Sequence, residues 1–383
     1  MNAKKDLAIP FNNRDEFSFF SLGRNAIYTA CVSLGLKPGD IVLTPALDCD
    51  STLSPFRVLG LKIDFYRSNP YTFEADIDNI KSRINTRVKL IHVINHFGIP
   101  QNWDSLIDLR QKTGIPILED NAFSFFSKYN GKDFGTFGDF SIFSLNKIFP
   151  IIDGGMLRKN NDLYNVNLPK RTQKWFYKTE RKKLLGILVS QLGLNKLPNV
   201  IKKKLVRNTI PITPLYSNKK GYPKWENRDK VLIEFSCDYY RPLSKIAEIQ
   251  LKRYRKKDFL HLKQRIRYFY DLIVKKLIKE QGVQVLWPQI QKEIVPSCVC
   301  ILVDTKRDDV FYRLKKKKFS VRCWPTFSGD VIDKIKDYPE IEIVGRKVIQ
   351  LMIPVVRVNM KNADLYFKAL TNELIESIRL YKI

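Results

Sequence analysis

The residues that build metal centres are scarce. The chain holds three histidines and six cysteines in 383 residues. Cys31, Cys49, Cys237, Cys298, Cys300 and Cys323 never fall at a C-x-x-C spacing. A structural zinc site is therefore not expected, and the thiols read as reduced, as in a cytoplasmic protein. No uninterrupted apolar stretch approaches the roughly 20 residues of a spanning helix. No apolar signal core follows the polar start Met1 to Asp6, and there is no internal repeat. Acidic residues are also few: 39 against 67 Lys and Arg, a net charge of +28. The basic runs, such as Lys315 to Lys318, carry no zinc-finger, RRM or helix-turn-helix pattern, so nucleic acid is not the expected partner. Two readings of the charge stay open: a Lys-rich solvated surface, or attraction for anionic ligands and surfaces.

What is present is alternation. Over the first 160 residues strand-like runs (Ile41 to Thr44, Lys62 to Tyr66, Val88 to Ile94, Ile115 to Leu118, Phe140 to Phe143, Met156-Leu157) alternate with helix-like ones. The helices are marked by Ala26, Ala30 and Leu34, by Ile77, Ile80 and Ile84, and by Trp103, Leu106 and Ile107. This predicts an α/β domain with a mostly parallel sheet flanked by helices. Ligands of such sheets bind beyond the carboxyl ends of the strands. Residues 170–230 are dense in Lys and Arg around an apolar run, Leu184 to Val189. They read as a basic amphipathic insertion, either packed on its own domain or lying on anionic lipid. A long basic helix from Leu243 to about Lys279 follows. Strands are expected at Val283 to Leu286, Cys298 to Val303 and Ile349 to Ile353, with a closing helix from Asn362. The expected division is a large domain over 1–242 and a smaller α+β domain over 243–383.

Four features carry chemistry. Lys147 follows the apolar strand Phe140 to Phe143 and precedes Gly154-Gly155 by seven positions. Burial disfavours an ammonium, and a neutral amine forms a Schiff base with an aldehyde. Glu119-Asp120 ends an apolar run, where a carboxylate can pair with a protonated pyridine nitrogen; helix capping is the plainer reading. Gly23-Arg24-Asn25 opens a helix, whose free N–H groups and dipole suit a phosphate. Ser144 and Ser141 each offer a hydroxyl to the same phosphate, and the sequence does not choose between them.

Taken together, Pro38-Gly-Asp40 to Pro45, His96-Phe-Gly-Ile-Pro100, Ile117-Leu-Glu-Asp120-Asn-Ala122, Gly138-Asp-Phe-Ser141 and Lys147 to Gly155 resemble the DegT/DnrJ/EryC1/StrS sugar aminotransferases, fold-type-I pyridoxal 5'-phosphate (PLP) enzymes. The resemblance implies a seven-stranded-type PLP domain and a homodimer. It implies that Lys147 binds PLP covalently and shuttles a proton, that Asp120 pairs with the pyridine nitrogen, and that Gly23, Arg24 and Asn25 with Ser144 or Ser141 hold the phosphate. It further implies amino transfer, commonly from glutamate, to a keto group of a nucleotide-linked sugar, as in surface-polysaccharide or amino-sugar biosynthesis.

The ring-framing positions depart from the family. Phe123 stands where Gln or His is usual, and the ring-stacking position near Leu47 to Cys49 holds no aromatic. Asp238-Tyr-Tyr-Arg241 replaces a Gly-x-Asn-Tyr-Arg segment. Two alternatives follow: a PLP-dependent sugar dehydratase or lyase, or a protein of low activity peripheral at the inner membrane face through 170–230.

Overall fold

The computed structural model describes residues 16–166, 239, 241–323, 327–353 and 360–381. The basic insertion expected at 170–230 and Cys237 lie outside the described residues, as do Asp238 and Tyr240.

The large sheet has seven strands in the order β1-β9-β8-β5-β4-β2-β3. They are β1 (Phe17–Phe20), β2 (Ile41–Pro45), β3 (Lys62–Tyr66), β4 (Val88–Ile94), β5 (Ile117–Asn121), β8 (Phe140–Phe143) and β9 (Gly155–Lys159). A small hairpin, β6 (Lys128–Tyr129) and β7 (Lys132–Asp133), lies apart from it. Strands β3, β2, β4, β5 and β8 run parallel; β9 pairs antiparallel with β8 and with β1. The expected mostly parallel α/β architecture is thus the observed one.

Both faces of the sheet are covered, which is why its strands are apolar almost throughout. On one face Val42, Leu90, Leu118 and Ile142 meet Ala26, Ile27 and Ala30 of α1 (Gly23–Ser33). On the other, Leu43, Ile91, Val93 and Ile117 meet Trp103, Leu106 and Leu109 of α4 (Trp103–Thr113). Helix α3 (Ile77–Arg83) is capped by the Asp76 carboxylate and α4 by the Asn102 side chain; Gly114 ends α4 in the left-handed region.

A second sheet of four antiparallel strands follows, in the order β10-β11-β13-β12: Val283–Val285, Cys298–Val303, Val348–Met352 and Val321–Cys323. Cys298 and Cys300 share a face of β11, with their sulfurs 3.6 Å apart. The expected single long helix is two, Lys245–Lys252 and Lys256–Leu277. Arg255 is extended, and a reciprocal bond with Asp258 restarts the helix there. Helix α2 (Asp50–Val58) has no counterpart in the expectations: its internal Pro55 disguises it. The strand expected at Ile115 to Leu118 begins at Ile117 and runs on to Asn121, carrying the acidic pair inside it. Among the described residues no helix is long and apolar enough to cross a membrane.

Candidate active site

The parallel strands deliver their polar residues to one edge. Side chains alternate along a strand, so Glu119 and Asp120 leave β5 on opposite faces. The register sets Ile94 beside Asp120 and His92 beside Leu118. His92 and Asp120 therefore share a face, and His92 Nε2 lies 3.3 Å from Asp120 Oδ2. With Nε2–H donating to the carboxylate, His92 Nδ1 accepts from the Thr44 hydroxyl at 2.9 Å. Asp120 Oδ1 accepts from the Ala122 backbone N–H at 2.7 Å. His92 and Thr44 are fully buried and Asp120 almost so. The chain Thr44–His92–Asp120 thus fixes a carboxylate at the strand end.

On the other face Glu119 is enclosed. Its carboxylate accepts from the backbone N–H groups of Gly135, Phe137 and Gly138, the Ser141 hydroxyl, and the amides of Asn95 and Asn121, at 2.7 to 3.3 Å. This network holds the segment between the hairpin and β8 against β5.

Lys147 lies on α5 (Leu145–Ile148), a single turn between buried Leu145 and Phe149. The turn is clamped where Leu145 N donates to the Gly154 carbonyl and Gly154 N to that of Ser21. Lys147 is exposed as a residue, yet enough protein surrounds its amine for desolvation to act on it. That low-dielectric surrounding lowers its pKa, while the nearby charges of Cys49, Asp120 and Asp48 raise it and Arg322 lowers it. Its Nζ sits 3.8 Å from the centroid of the Phe123 ring, a cation–π distance. Phe123 in turn leans on Phe97.

Gly23 opens α1 directly beside Ser144: a Cβ at Gly23 would stand 3.5 Å from the Ser144 Cβ and 3.6 Å from its hydroxyl. Ser141 lies elsewhere, donating to Glu119 and accepting from Asn160. Asn25 is buried and donates to the Tyr239 carbonyl at 2.8 Å, with Tyr239 stacked on Tyr28; it ties α1 to a distant segment. Arg24 is half-buried at the helix start. Gly155 is required where it is, because a Cβ there would collide with the Leu22 carbonyl.

Cys49 precedes α2, with its sulfur 2.9 Å from the Ser51 hydroxyl and 3.2 Å from that of Thr52. Burial, then Asp48, pushes its pKa up. His96 is buried against Phe73, and burial pulls its pKa down to about 3, so it is neutral.

The structure thus sets Lys147 against Phe123, brings it within electrostatic reach of Asp120 and Cys49, and sets Gly23 beside Ser144. Three groups went unnoticed in the sequence: His92, Thr44 and Asp48. His92 had a signal, being the one imidazole in a central strand whose other residues, apart from the exposed Lys89, are apolar.

Residues 19–168 match the profile of the DegT/DnrJ/EryC1/StrS aminotransferase family. A GDP-perosamine synthase of Escherichia coli O157:H7 is 32% identical over 143 residues, 37% of this chain and 39% of that protein. A GDP-4-keto-6-deoxy-D-mannose 3-dehydratase of Yersinia pseudotuberculosis is 32% identical over 142 residues, 36% of each. The aligned stretch spans less than half the length of either relative. Across the whole fold the chain is similar to the aminotransferase TlmJ of Streptoalloteichus hindustanus, with a TM-score of 0.65 at 15% identity over 96% of this chain and 87% of that one.

Proposed function

We propose that this chain, which carries the DegT/DnrJ/EryC1/StrS family domain over residues 19–168, is a PLP-dependent aminotransferase acting on a keto group of a nucleotide-linked sugar. The observation that carries the reading is the buried Asp120 carboxylate fixed at the strand end by His92 and the Ala122 N–H, within electrostatic reach of the Lys147 amine.

The residues fit the cofactor. A buried carboxylate braced by His92 suits a protonated pyridine nitrogen. The start of α1, with Gly23 against Ser144, suits a phosphate. Arg24 and Asn25 belong to the same helix start, and Ser141 is held here as the weaker candidate because Glu119 and Asn160 engage its hydroxyl. Bound there, PLP would supply an electron sink for charge developing on a substrate carbon. Lys147 would take and return a proton at Nζ, and the burial that lowers its pKa favours the neutral form of the amine. Asp120, fixed by His92 and the Ala122 N–H, would hold its charge in place without reorganising. Phe123 would limit one side of the Lys147 amine and exclude water from it.

The same reading takes glutamate as amino donor and a second copy of the chain as partner. It assigns cofactor binding to 1–242 and a smaller α+β domain to 243–383. The test is incubation with PLP: a visible absorbance band is expected in the wild-type chain and absent from Lys147→Ala. A wild-type chain without the band removes the proposal.

Elimination is a second reading. It is favoured by Phe123 against Lys147 and by the similarity to a dehydratase. The sugar product separates the two: transamination leaves the nitrogen of ¹⁵N-glutamate on the sugar in place of the keto oxygen, whereas elimination yields a sugar that has lost a hydroxyl as water and carries no such nitrogen.

A further inference from the structure

Phe123 is held by its backbone before its ring makes any contact. It sits in the turn that follows β5. On one side the Ala122 N–H donates to Asp120 Oδ1 at 2.7 Å. On the other the Ser124 N–H donates to the Asn121 carbonyl at 3.0 Å, and the Ser124 hydroxyl to the Asn95 carbonyl. The ring is also braced from behind. Phe97 leans on it with ring centroids 5.6 Å apart, and Phe73 backs Phe97 at 6.2 Å. Phe73 and Phe97 are buried, and both hold left-handed backbones, with φ of 62° and 56°. Bulky residues persist in that region only where their surroundings fix them. Here the Ser297 N–H donates to the Phe97 carbonyl at 2.8 Å, and a Cβ on the adjoining Gly98 would collide with the Val295 carbonyl.

This braced ring turns its face to Lys147, whose Nζ stands 3.8 Å from the centroid. Among the described residues no side chain forms an ion pair or a hydrogen bond with that amine. Charged and titratable groups act on it through space: Cys49 before α2, Asp48 after β2, Asp120 at the end of β5 and Arg322 of β12. The ring is the group that touches it.

We propose that Phe123 is a positioning residue of this site: its π face docks the Lys147 side chain as the ammonium and fixes where the amine stands before a ligand arrives. The inference deepens the aminotransferase reading and rests on it for its purpose. A carboxylate in this place could take the lysine proton and would cancel its charge. A phenyl ring has no basic atom, so it holds the cation and leaves Asp120 its charge for a ligand. The hold ends when the amine loses its proton. The neutral amine, the form that attacks a carbonyl, is therefore also the form released from the ring.

The ring acts on the amine in two opposed ways. It keeps water off, which disfavours the charge, and it offers a negative face, which favours it. Fluorination separates the two, because it drains the face and keeps the shape. Position 123 is filled with phenylalanines carrying one, two and three ring fluorines, in the full chain without PLP. The pH dependence of Lys147 acylation by a small amine-directed reagent is then read by peptide mass spectrometry, since only the neutral amine reacts. The midpoint should fall stepwise with fluorine number, by roughly half a pH unit in all. Phe123→Leu, apolar but without a π face, should fall alike. A midpoint that stays level or rises across the fluorine series overturns the proposal, and the series decides alone should F123L fail to fold. Absorbance of the unsubstituted chain with PLP is measured alongside. A missing band sinks the aminotransferase reading and leaves the fluorine series to decide Phe123.

Discussion

On one face of β5 the Glu119 carboxylate is ringed by six donors. On the other, one residue along, Asp120 receives the Ala122 N–H and the His92 imidazole. Both carboxyls are buried, and in sequence they are the indistinguishable halves of an acidic pair. A buried carboxylate offers about four lone-pair sites. At Glu119 they are crowded, and the charge serves to pin a connecting segment. At Asp120 capacity is left over on a group that cannot move, which is what a ligand-facing charge requires. On the proposed reading, saturation separates the structural carboxylate from the ligand-facing one; burial alone does not.

That contrast can be broken by substitution. The largest effect on folding is expected from Glu119→Ala, which strips partners from three backbone N–H groups and two buried amides. Destabilisation of about 4 kcal/mol should appear in denaturant unfolding. If the loss is below about 1 kcal/mol, the saturated network is not what holds that segment. Asp120→Asn should change stability far less. Turnover with PLP and substrate should drop by about 10²-fold or more, the usual size of a lost charge-stabilising contact. His92→Phe keeps the ring volume and removes the Asp120 and Thr44 bonds. PLP affinity should weaken about tenfold, an effect of a bond to a charged group, measured by titration of the absorbance band.

The fourth effect concerns pH. The His96 folded pKa of about 3 lies below its unfolded value near 6.5, so folding withholds a proton from it. Its contribution is present above pH 6.5 and declines as pH falls toward 3. His96→Gln should remove up to about 2 kcal/mol of the stability difference between pH 7.5 and pH 5. Equal pH slopes for wild type and variant would show that His96 is not withheld from protonation.

The strands Val88 to Ile94 and Phe140 to Phe143 were legible because buried parallel strands are written as largely apolar runs, and the edge strand Lys62 to Tyr66 because its apolar residues are β-formers, Ile63, Phe65 and Tyr66. Their residue ranges in the structure are the expected ones. Helix α2 was illegible, since Pro55 masks a helix that its contacts with α1 and β3 maintain. The break at Arg253 to Arg255 was hidden by basic residues that run on without interruption, and only the Asp258 cap marks it. Lys147 and Asp120 were legible as candidates from local spacing. The Thr44–His92–Asp120 chain was not, because it is made by register between three strands separated by up to 76 residues of sequence (from Thr44 to Asp120). Ser144 and Ser141 could not be ranked until the pleat turned one toward Gly23 and the other toward Glu119.

Cys49 gives the site a chemical handle of its own. Of the five cysteines among the described residues, Cys31, Cys298 and Cys300 are buried, while Cys49 and Cys323 keep accessible surface. Cys49 alone of these adjoins both Asp48 and Lys147 through its charge. A thiol of raised pKa reacts slowly at neutral pH, slowly enough to be timed by hand. Its rate of modification makes a stopwatch for occupancy: whatever small molecule fills the space beside Lys147 should announce itself by shielding that sulfur, with no assay of turnover and before any substrate has been identified.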